Sequence, residues 1–507
     1  MSLDLITNPN NLKKIRARQK LEDDVKITRL KRKRFLKDQI LNHDRIDLLM
    51  TEVLDYNKTQ DFHLAMWYHR EHNCRKKDKQ RWHLALAPRG GGKSTILTIS
   101  DCILRVLKDS NVRILIASKT DDNARGFLSE VKQKLKSQKL IDIFGPQVGD
   151  VWNEGEINVA SRKAAWKEKT IETVGYTGTL ASKHFDYIYG DDLVDEENSK
   201  TEVQRKKLLT WFYKILDPTL MADGRMYLAS TRYHPEDLNG HLIDTVFTKK
   251  NKAGKVLKKY YVRIPALFKK KGVRKGAKLH DRYTSFWPEE MSVKYLLGKK
   301  KDQGTIIFSS QYLNDVEAMK GQIFKVDWFK WYKLEDIDLK ELIIFQGVDL
   351  AISQKDNADK FAHCTIGVHP KTKDIFVLDY YNRITHYTEQ KQVILTKFNK
   401  YDPVRVAIEA NGYQQSLLQD MRTNPKLSKV RASPVFTDTD KTLRAWKLSA
   451  YFERGQIHLL EGMNVMQQHL LKMPDGRYKD LFDALDLAVT IAFGMKRKKR
   501  DKEPGII

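Results

Sequence analysis

Two rhythms of apolar residues run through this chain. Short, nearly unbroken apolar runs at 82–87, 112–117, 185–189 and 226–229 each stop in a polar cluster, and helical patterns separate them. Runs of this kind predict strands buried on both faces of a parallel sheet, with Asp121-Asp122-Asn123 as N-cap of the helix after the second run. Near residue 342 a second block begins. It predicts strands at 343–349, 362–368 and 375–378 joined by polar turns such as Pro370-Lys371-Thr372-Lys373. A helix at 388–398, a strand at 404–409 and a last amphipathic helix at 480–495 follow.

The stretches around these blocks are basic. Before residue 60, Leu30, Phe35, Ile40 and Leu41 interrupt Lys31-Arg32-Lys33-Arg34 at helical spacing, predicting basic helices that face solvent, nucleic acid or a neighbouring subunit. Between 248 and 280, Lys249-Lys250, Lys258-Lys259 and Lys269-Lys270-Lys271, with glycines at 254, 272 and 276, predict exposed hairpins and linker. Trp328-Phe329-Lys330-Trp331-Tyr332 reads as a packing seam between domains or as a platform for stacked bases. The expected organisation is a basic helical segment (1–60), an α/β domain (61–247), a linker and hairpin region (248–340), a second α/β domain (341–495) and a basic tail (496–507). A chain of 507 residues exceeds what one core supports.

Charge narrows the partners. Lysine and arginine number 92 against 65 acidic residues, a formal charge of +27, which favours a polyanion. Cys74, Cys102 and Cys364 are too few and too scattered for a disulfide framework or a structural zinc site, and suit a reducing cytoplasm. No apolar run approaches membrane-spanning length, and the first residues lack the pattern of a secretory leader.

Chemistry enters at Pro88-Arg89-Gly90-Gly91-Gly92-Lys93-Ser94, where the first apolar run breaks before Thr95-Ile96-Leu97. Strand, glycine-rich loop and helix in that order make a cradle whose backbone N–H groups converge on phosphate. In such a cradle Lys93 reaches the β- and γ-phosphates and Ser94 holds Mg2+. Ala87 stands where the pattern has its first glycine, so a surface turn is the plain alternative.

The run at 185–189 leads into Asp191 and Asp192. Asp191 is placed to contact Mg2+ through its water, and Asp192 to orient the water that attacks the γ-phosphate; a strand-terminating turn is the alternative. Arg89 and Arg232 are candidate cations for charge on the phosphates, or else salt-bridge partners. Ser230 and Thr231, at the end of the 226–229 run, offer hydroxyls that sense whether γ-phosphate is present.

A second constellation consists of Asp349, Glu409 and Asp480. If the strands ending in Asp349 and Glu409 are parallel neighbours, the two carboxylates meet at one sheet edge, and a helix opening at Asp480 supplies a third. Three hard oxygen ligands suit Mg2+ or Mn2+, which activate water and stabilise a leaving 3′-oxygen. Singly, these residues also read as a turn, a strand end and a helix cap. Asp480, Asp483 and Asp486 recur at every third position, so a solvated helix face is the competing explanation.

The order of these motifs resembles the large terminase subunit of tailed bacteriophages, over residues 61–494. The resemblance adds Phe62-His63, Gly175-Tyr176-Thr177-Gly178, Trp287-Pro288-Glu289 and Gln311-Tyr312-Leu313-Asn314 to the segments above. It implies a P-loop ATPase of the ASCE/RecA-like type with a parallel sheet, joined to a ribonuclease H-like nuclease with a mixed sheet. It also implies ATP and Mg2+, with Mn2+ possible at the nuclease site. The implied partners are double-stranded DNA, a portal protein and procapsid, a small terminase subunit and further copies in a ring, commonly of five. The implied setting is the host cell cytoplasm. In this family the residues matching Arg89 and Asp192 serve hydrolysis and Ser230-Thr231-Arg232 couples it to motion. Lys479 departs from the adjacent acidic pair that terminases often carry, which leaves open whether Asp483 assists a second ion. A helicase-nuclease of DNA repair and an ATP-gated nucleic-acid clamp with a degenerate nuclease fold are the rival readings.

Overall fold

In the computed structural model, which describes residues 9–73, 81–250, 254–274, 276–319, 321–350, 360–409, 423–436, 441–474 and 479–494, two compact units emerge. One comprises 1–293 with 310–315, the other 294–309 with 316–507. Cys74 and the basic tail 496–507 lie outside the described residues. Both units are α/β.

The first unit carries β1 (Trp82–Leu86), β2 (Ile114–Ser118), β3 (Val148–Trp152), β4 (Glu156–Val159), β5 (Ile171–Gly175), β6 (Phe185–Asp191) and β7 (Leu220–Ser230). A hairpin of β8 (Thr248–Lys250) and β9 (Val256–Lys259), an edge strand β10 (Tyr261–Arg263) and a hairpin of β11 (Leu267–Lys269) and β12 (Tyr283–Ser285) follow. The main sheet has the order β10-β1-β7-β6-β2-β5-β4-β3. The four apolar runs are its inner strands, all parallel, and β4 alone is reversed, pairing antiparallel with both β5 and β3. Leu84, Leu86, Leu115, Ile188, Met226 and Leu228 are buried in one cluster, and each such aliphatic side chain contributes about 1.5–3 kcal/mol relative to exposure.

Helices α1 (Pro9–Asn42), α2 (Asp61–Asn73), α3 (Asp101–Lys108) and α4 (Asp121–Leu135) belong to this unit. Two details differ from expectation. Thr120, not the acidic triplet, caps α4: its side chain accepts from the Asn123 N–H at 3.2 Å, while Asp121 and Asp122 sit in the first turn, where the helix dipole favours negative charge. Part of the lysine-rich stretch, β10, pairs in parallel with β1 and so extends the sheet instead of forming linker.

The second unit holds β13 (Lys330–Tyr332), β14 (Ile343–Asp349), β15 (Phe361–Val368), β16 (Ile375–Arg383), β17 (Arg405–Glu409), β18 (Ala432–Val435) and β19 (Ile457–Leu460). Its sheet order is β13-β19-β16-β15-β14-β17-β18. Strands β14, β15 and β16 pair antiparallel, and β17 and β18 add on in parallel, the mixed arrangement expected of a ribonuclease H-like fold. Helices α5 (Tyr387–Tyr401), α6 (Lys441–Glu453) and α7 (Asp480–Gly494) complete it.

Helix α7 lies directly on β14. A Cβ on Gly347 would stand 2.1 Å from the Ala484 carbonyl oxygen, so only glycine allows the helix this close. The aromatic stretch joins this unit's core: Phe329 packs on Phe452 and the buried Tyr332 donates its hydroxyl to the Val377 carbonyl at 2.9 Å. Neither sequence reading gave those rings that role. Among the described residues no helix is long and apolar enough to cross a membrane.

Candidate phosphate and carboxylate sites

Strand β7 lies between β1 and β6, as expected for the ATPase topology, with Leu86 opposite Ser230 and Ala229 opposite Asp191. The loop after β1 therefore shares one sheet edge with Ser230 and Asp191, at the carboxyl ends of three parallel strands. Helical turns start at Lys93, are wide-wound over Thr95–Ser100, and continue as α3.

Asp191 is fully buried. Ser94 Oγ donates to its Oδ1 at 2.9 Å, the Thr98 hydroxyl donates to Oδ2, and Ser118 Oγ donates to its backbone carbonyl at 2.7 Å. Burial and then the neighbouring Asp192 charge push the Asp191 carboxyl up to about 7, against Lys93, Thr98 and Ser94. Asp192 leaves the strand in the left-handed region, φ 47°, and its carboxylate lies 3.2 Å from the buried Lys93 Nζ. A hydroxyl and a carboxylate already in contact, held near neutrality by burial, are hard oxygen donors of the type Mg2+ takes.

Other contacts set the loop. His63 Nδ1 accepts from the Gln60 N–H at 3.0 Å, which assigns the proton to Nε2, 3.1 Å from the Gly91 carbonyl. Gly92 has φ +67°, and a Cβ there would lie 2.6 Å from His63 Nε2. Gln311 accepts the Arg89 N–H at 3.2 Å on its carbonyl and donates its side-chain amide to the Arg232 carbonyl at 2.9 Å, so it bridges the loop and the end of β7. Beside the loop is a cavity of about 350 Å3 lined in part by Tyr56, Asn57, Thr59, His63, Thr95 and Trp287. Its amphipathic lining suits a planar heterocycle.

The remaining expected residues fall into place unevenly. Pro88 is buried, and Arg89 and Gly90 are exposed at the loop's tip. Ser230 Oγ accepts from Asn239 Nδ2 at 2.8 Å, and Thr231 is buried beside it. Arg232 departs from the expected phosphate contact. Its buried guanidinium is committed to Asp237, at 3.1 Å, and to the His234 and Pro235 carbonyls. It therefore closes its own turn, and of the two arginines Arg89 alone is at the surface of the loop.

Beneath the loop, Asp101 of α3 receives Trp67 Nε1 at 2.8 Å and pairs with Arg70 at 2.8 Å and Arg105 at 3.2 Å. Against the upward push of burial, Arg105 and Arg70 hold its carboxyl below the ordinary value. This cluster fastens α2 to the helix that follows the loop.

In the second unit, β14 and β17 are parallel neighbours with Val348 opposite Ile408, so Asp349 and Glu409 follow at one edge. Helix α7 opens there with Asp480. Burial pushes the Asp349 carboxyl well above its ordinary value, and the charges of Asp483, Glu409 and Asp480 add to it against Lys441. Glu409, Asp480 and Asp483 thus all lie near enough to Asp349 for their charges to act on it. Asp480, Asp483 and Asp486 are 6, 2 and 8 % exposed, which rules out the solvated helix face.

The cations were not anticipated. Asp483 pairs with both Lys441 and Arg444 of α6, and Arg444 also reaches Asp486 at 2.9 Å. Burial pushes Asp486 up to about 6 despite Arg444. Among the described residues no three His, Cys, Asp or Glu side chains are gathered closely enough to hold an ion. The donor set is nonetheless all carboxylate, with Asp480 and Asp483 buried and Asp349 and Glu409 half-buried, the chemistry that a divalent cation satisfies. Thr98, Lys441 and Arg444 carry no motif, and Gln311 entered only as the first residue of Gln311-Tyr312-Leu313-Asn314; of the first three, Thr98 alone had a local signal, four residues after Ser94 on the same helical face.

No protein-family model matches this sequence, and no curated protein matches it. Solved structures do. The large terminase of a thermophilic bacteriophage is 10% identical, with 83% of this chain and 98% of that chain covered and a TM-score of 0.48. The same protein in complex with ATP-gamma-S gives 10%, 83%, 98% and 0.47. The large terminase nuclease of a thermophilic phage, G20c, with bound magnesium is 12% identical, covering 34% of this chain and 97% of that chain, with a TM-score of 0.28. The chain is similar to phage large terminases.

Proposed function

We propose that this chain is a terminase large subunit: an ATP-driven motor that moves double-stranded viral DNA into a procapsid, and a separate metal-dependent endonuclease that cuts concatemeric DNA. The observation that carries the reading is that one chain builds two buried carboxylate pockets, one against a phosphate loop and one at the ends of β14 and β17 under α7. In the first, the Gly90–Gly92 backbone receives the phosphates and Lys93 exchanges Asp192 for phosphate oxygens. Asp192 is then free to orient the attacking water, and Arg89 faces the developing charge. Mg2+, held by Ser94 and through water by Asp191, would neutralise the phosphate charge. Gln311 and the buried Ser230–Thr231 end of β7 carry the change away from the loop.

In the second, Asp349, Glu409 and Asp480, with Asp483 in reserve, would hold Mg2+ or Mn2+, which supply an activated water and a charge opposite the leaving oxygen. A basic recess of about 400 Å3 lined by Lys269, Lys270, Arg274 and Arg282, with Tyr283, supports a grip on backbone phosphates. The ring of copies, the portal, the small subunit and the host cytoplasm belong to the same proposal.

The test pairs DNA-stimulated γ-phosphate release and movement along intact duplex with divalent-metal-dependent nicking of a plasmid. Nicking must vanish in Asp349→Ala. Strand separation on a forked substrate without duplex movement would favour the helicase-nuclease. The cations on Asp483 favour the clamp reading, which requires that wild type bind ATP and DNA and never nick.

A further inference from the structure

Two cations reach the carboxylate pocket of the second unit, and both stand on α6. They differ in how they are held. The Arg444 side chain is 11% exposed and spans two carboxylates, Asp483 and Asp486. The Lys441 side chain is 46% exposed and, among the described residues, pairs with one carboxylate, Asp483, so its ammonium enters from the solvent side on an aliphatic stem. Asp483 itself is 2% exposed. Facing Lys441 from the packed elements are Asp483 of α7 and Asp349 of β14, with Arg444 opposing from its own helix. Glu409 and Asp480 add to the same negative cluster. Carboxylates crowded in this way need a positive charge among them, and Lys441 is the one placed to leave.

We propose that Lys441 is a resident counter-ion of this pocket, neutralising Asp483 while no divalent ion is bound and surrendering that carboxylate when one enters. The proposal rests on the metal-site reading above. In the exchange the Lys441–Asp483 ion pair opens and the ammonium, still protonated, turns to solvent. Asp483 becomes available beside Asp349, Glu409 and Asp480, and Arg444 keeps it oriented. No covalent bond forms or breaks. Lys441 is then a positioning residue that sets metal affinity by competition.

The test uses the full chain, with calorimetric titration by Mn2+ and thermal melting in EDTA and in saturating Mn2+. K441Q should melt below wild type in EDTA, bind Mn2+ roughly tenfold more tightly, and close the melting gap in Mn2+. K441R, which keeps the charge, should stay within about twofold of wild-type affinity. An independent measurement needs no variant: acylation of Lys441 in wild type, read by mass spectrometry, should speed up when Mn2+ is added. Unchanged Mn2+ affinity in K441Q with lower melting under both conditions would make the lysine merely structural and overturn the proposal. Acylation indifferent to Mn2+ would overturn it equally. If wild type and D349N bind Mn2+ alike, the metal-site reading falls, and the proposal with it; that failure is recognisable because it appears without any change at Lys441.

Discussion

Around the phosphate loop, Asp191 is held by hydroxyls from the helix that follows the loop and from the neighbouring strand, and Lys93 lies one turn away on Asp192. In the second unit, the carboxylates of β14, β17 and α7 are held by cations from α6, a different part of the chain. In the first pocket hydroxyls hold Asp191 and the cation Lys93 sits on its neighbour Asp192, so the exchange proposed there is of Lys93 onto phosphate. In the second, the cations sit on Asp483 itself, so the exchange proposed there is for the ion.

The largest effect that would sharpen this contrast is in the first pocket. Lys93→Ala should lower γ-phosphate release at least about a hundredfold while plasmid nicking persists. Loss of both activities together would mean that the two pockets do not work separately. Next, Asp349→Asn should abolish nicking and leave phosphate release unchanged. It should also raise the melting temperature in EDTA, because it removes a carboxyl that burial and its neighbours already disfavour. A lower melting temperature there would show that Asp349 carries a stabilising contact instead.

Gly347→Ala forces the helix off β14 and should cost about 1–3 kcal/mol in urea unfolding, with nicking impaired more than phosphate release. Equal loss of both would place its effect outside the second pocket. The smallest effect concerns His63. Burial holds its ring down to about 4, so the folded state favours the neutral form. The stability this gives is complete above the unfolded value of about 6.5 and is lost as pH falls towards about 4. Folding stability should fall over that window in wild type and more shallowly in His63→Gln, read by urea unfolding at a series of pH values; identical profiles would remove His63 from the loop's support.

Much of this was legible along the chain. The inner strands of the first sheet are continuous apolar runs because both their faces are buried, and that leaves a local mark that needs no partner to be read. The short strands β10, β13 and β19 left none, since three or four residues at a sheet edge or next to it acquire their structure from the neighbours they pair with. Of the two arginines Arg89 read as the better candidate beside phosphate chemistry; Asp237, five residues from Arg232, takes the Arg232 guanidinium, a commitment the sequence did not announce. The three aspartates of α7 left a solvated stripe open as the competing reading, which their burial against β14 and α6 excludes.

The sequence by itself determined the phosphate cradle, the strand-end carboxylates and the helix that opens at Asp480, because each depends on residue type and spacing within a few positions. The tertiary structure alone decided which charges answer them: that Thr98 and Ser118 satisfy Asp191, and that Lys441 and Arg444 share Asp483. Counter-charges act through space over a few ångströms with no fixed separation along the chain, so their identity is a property of packing and not of pattern.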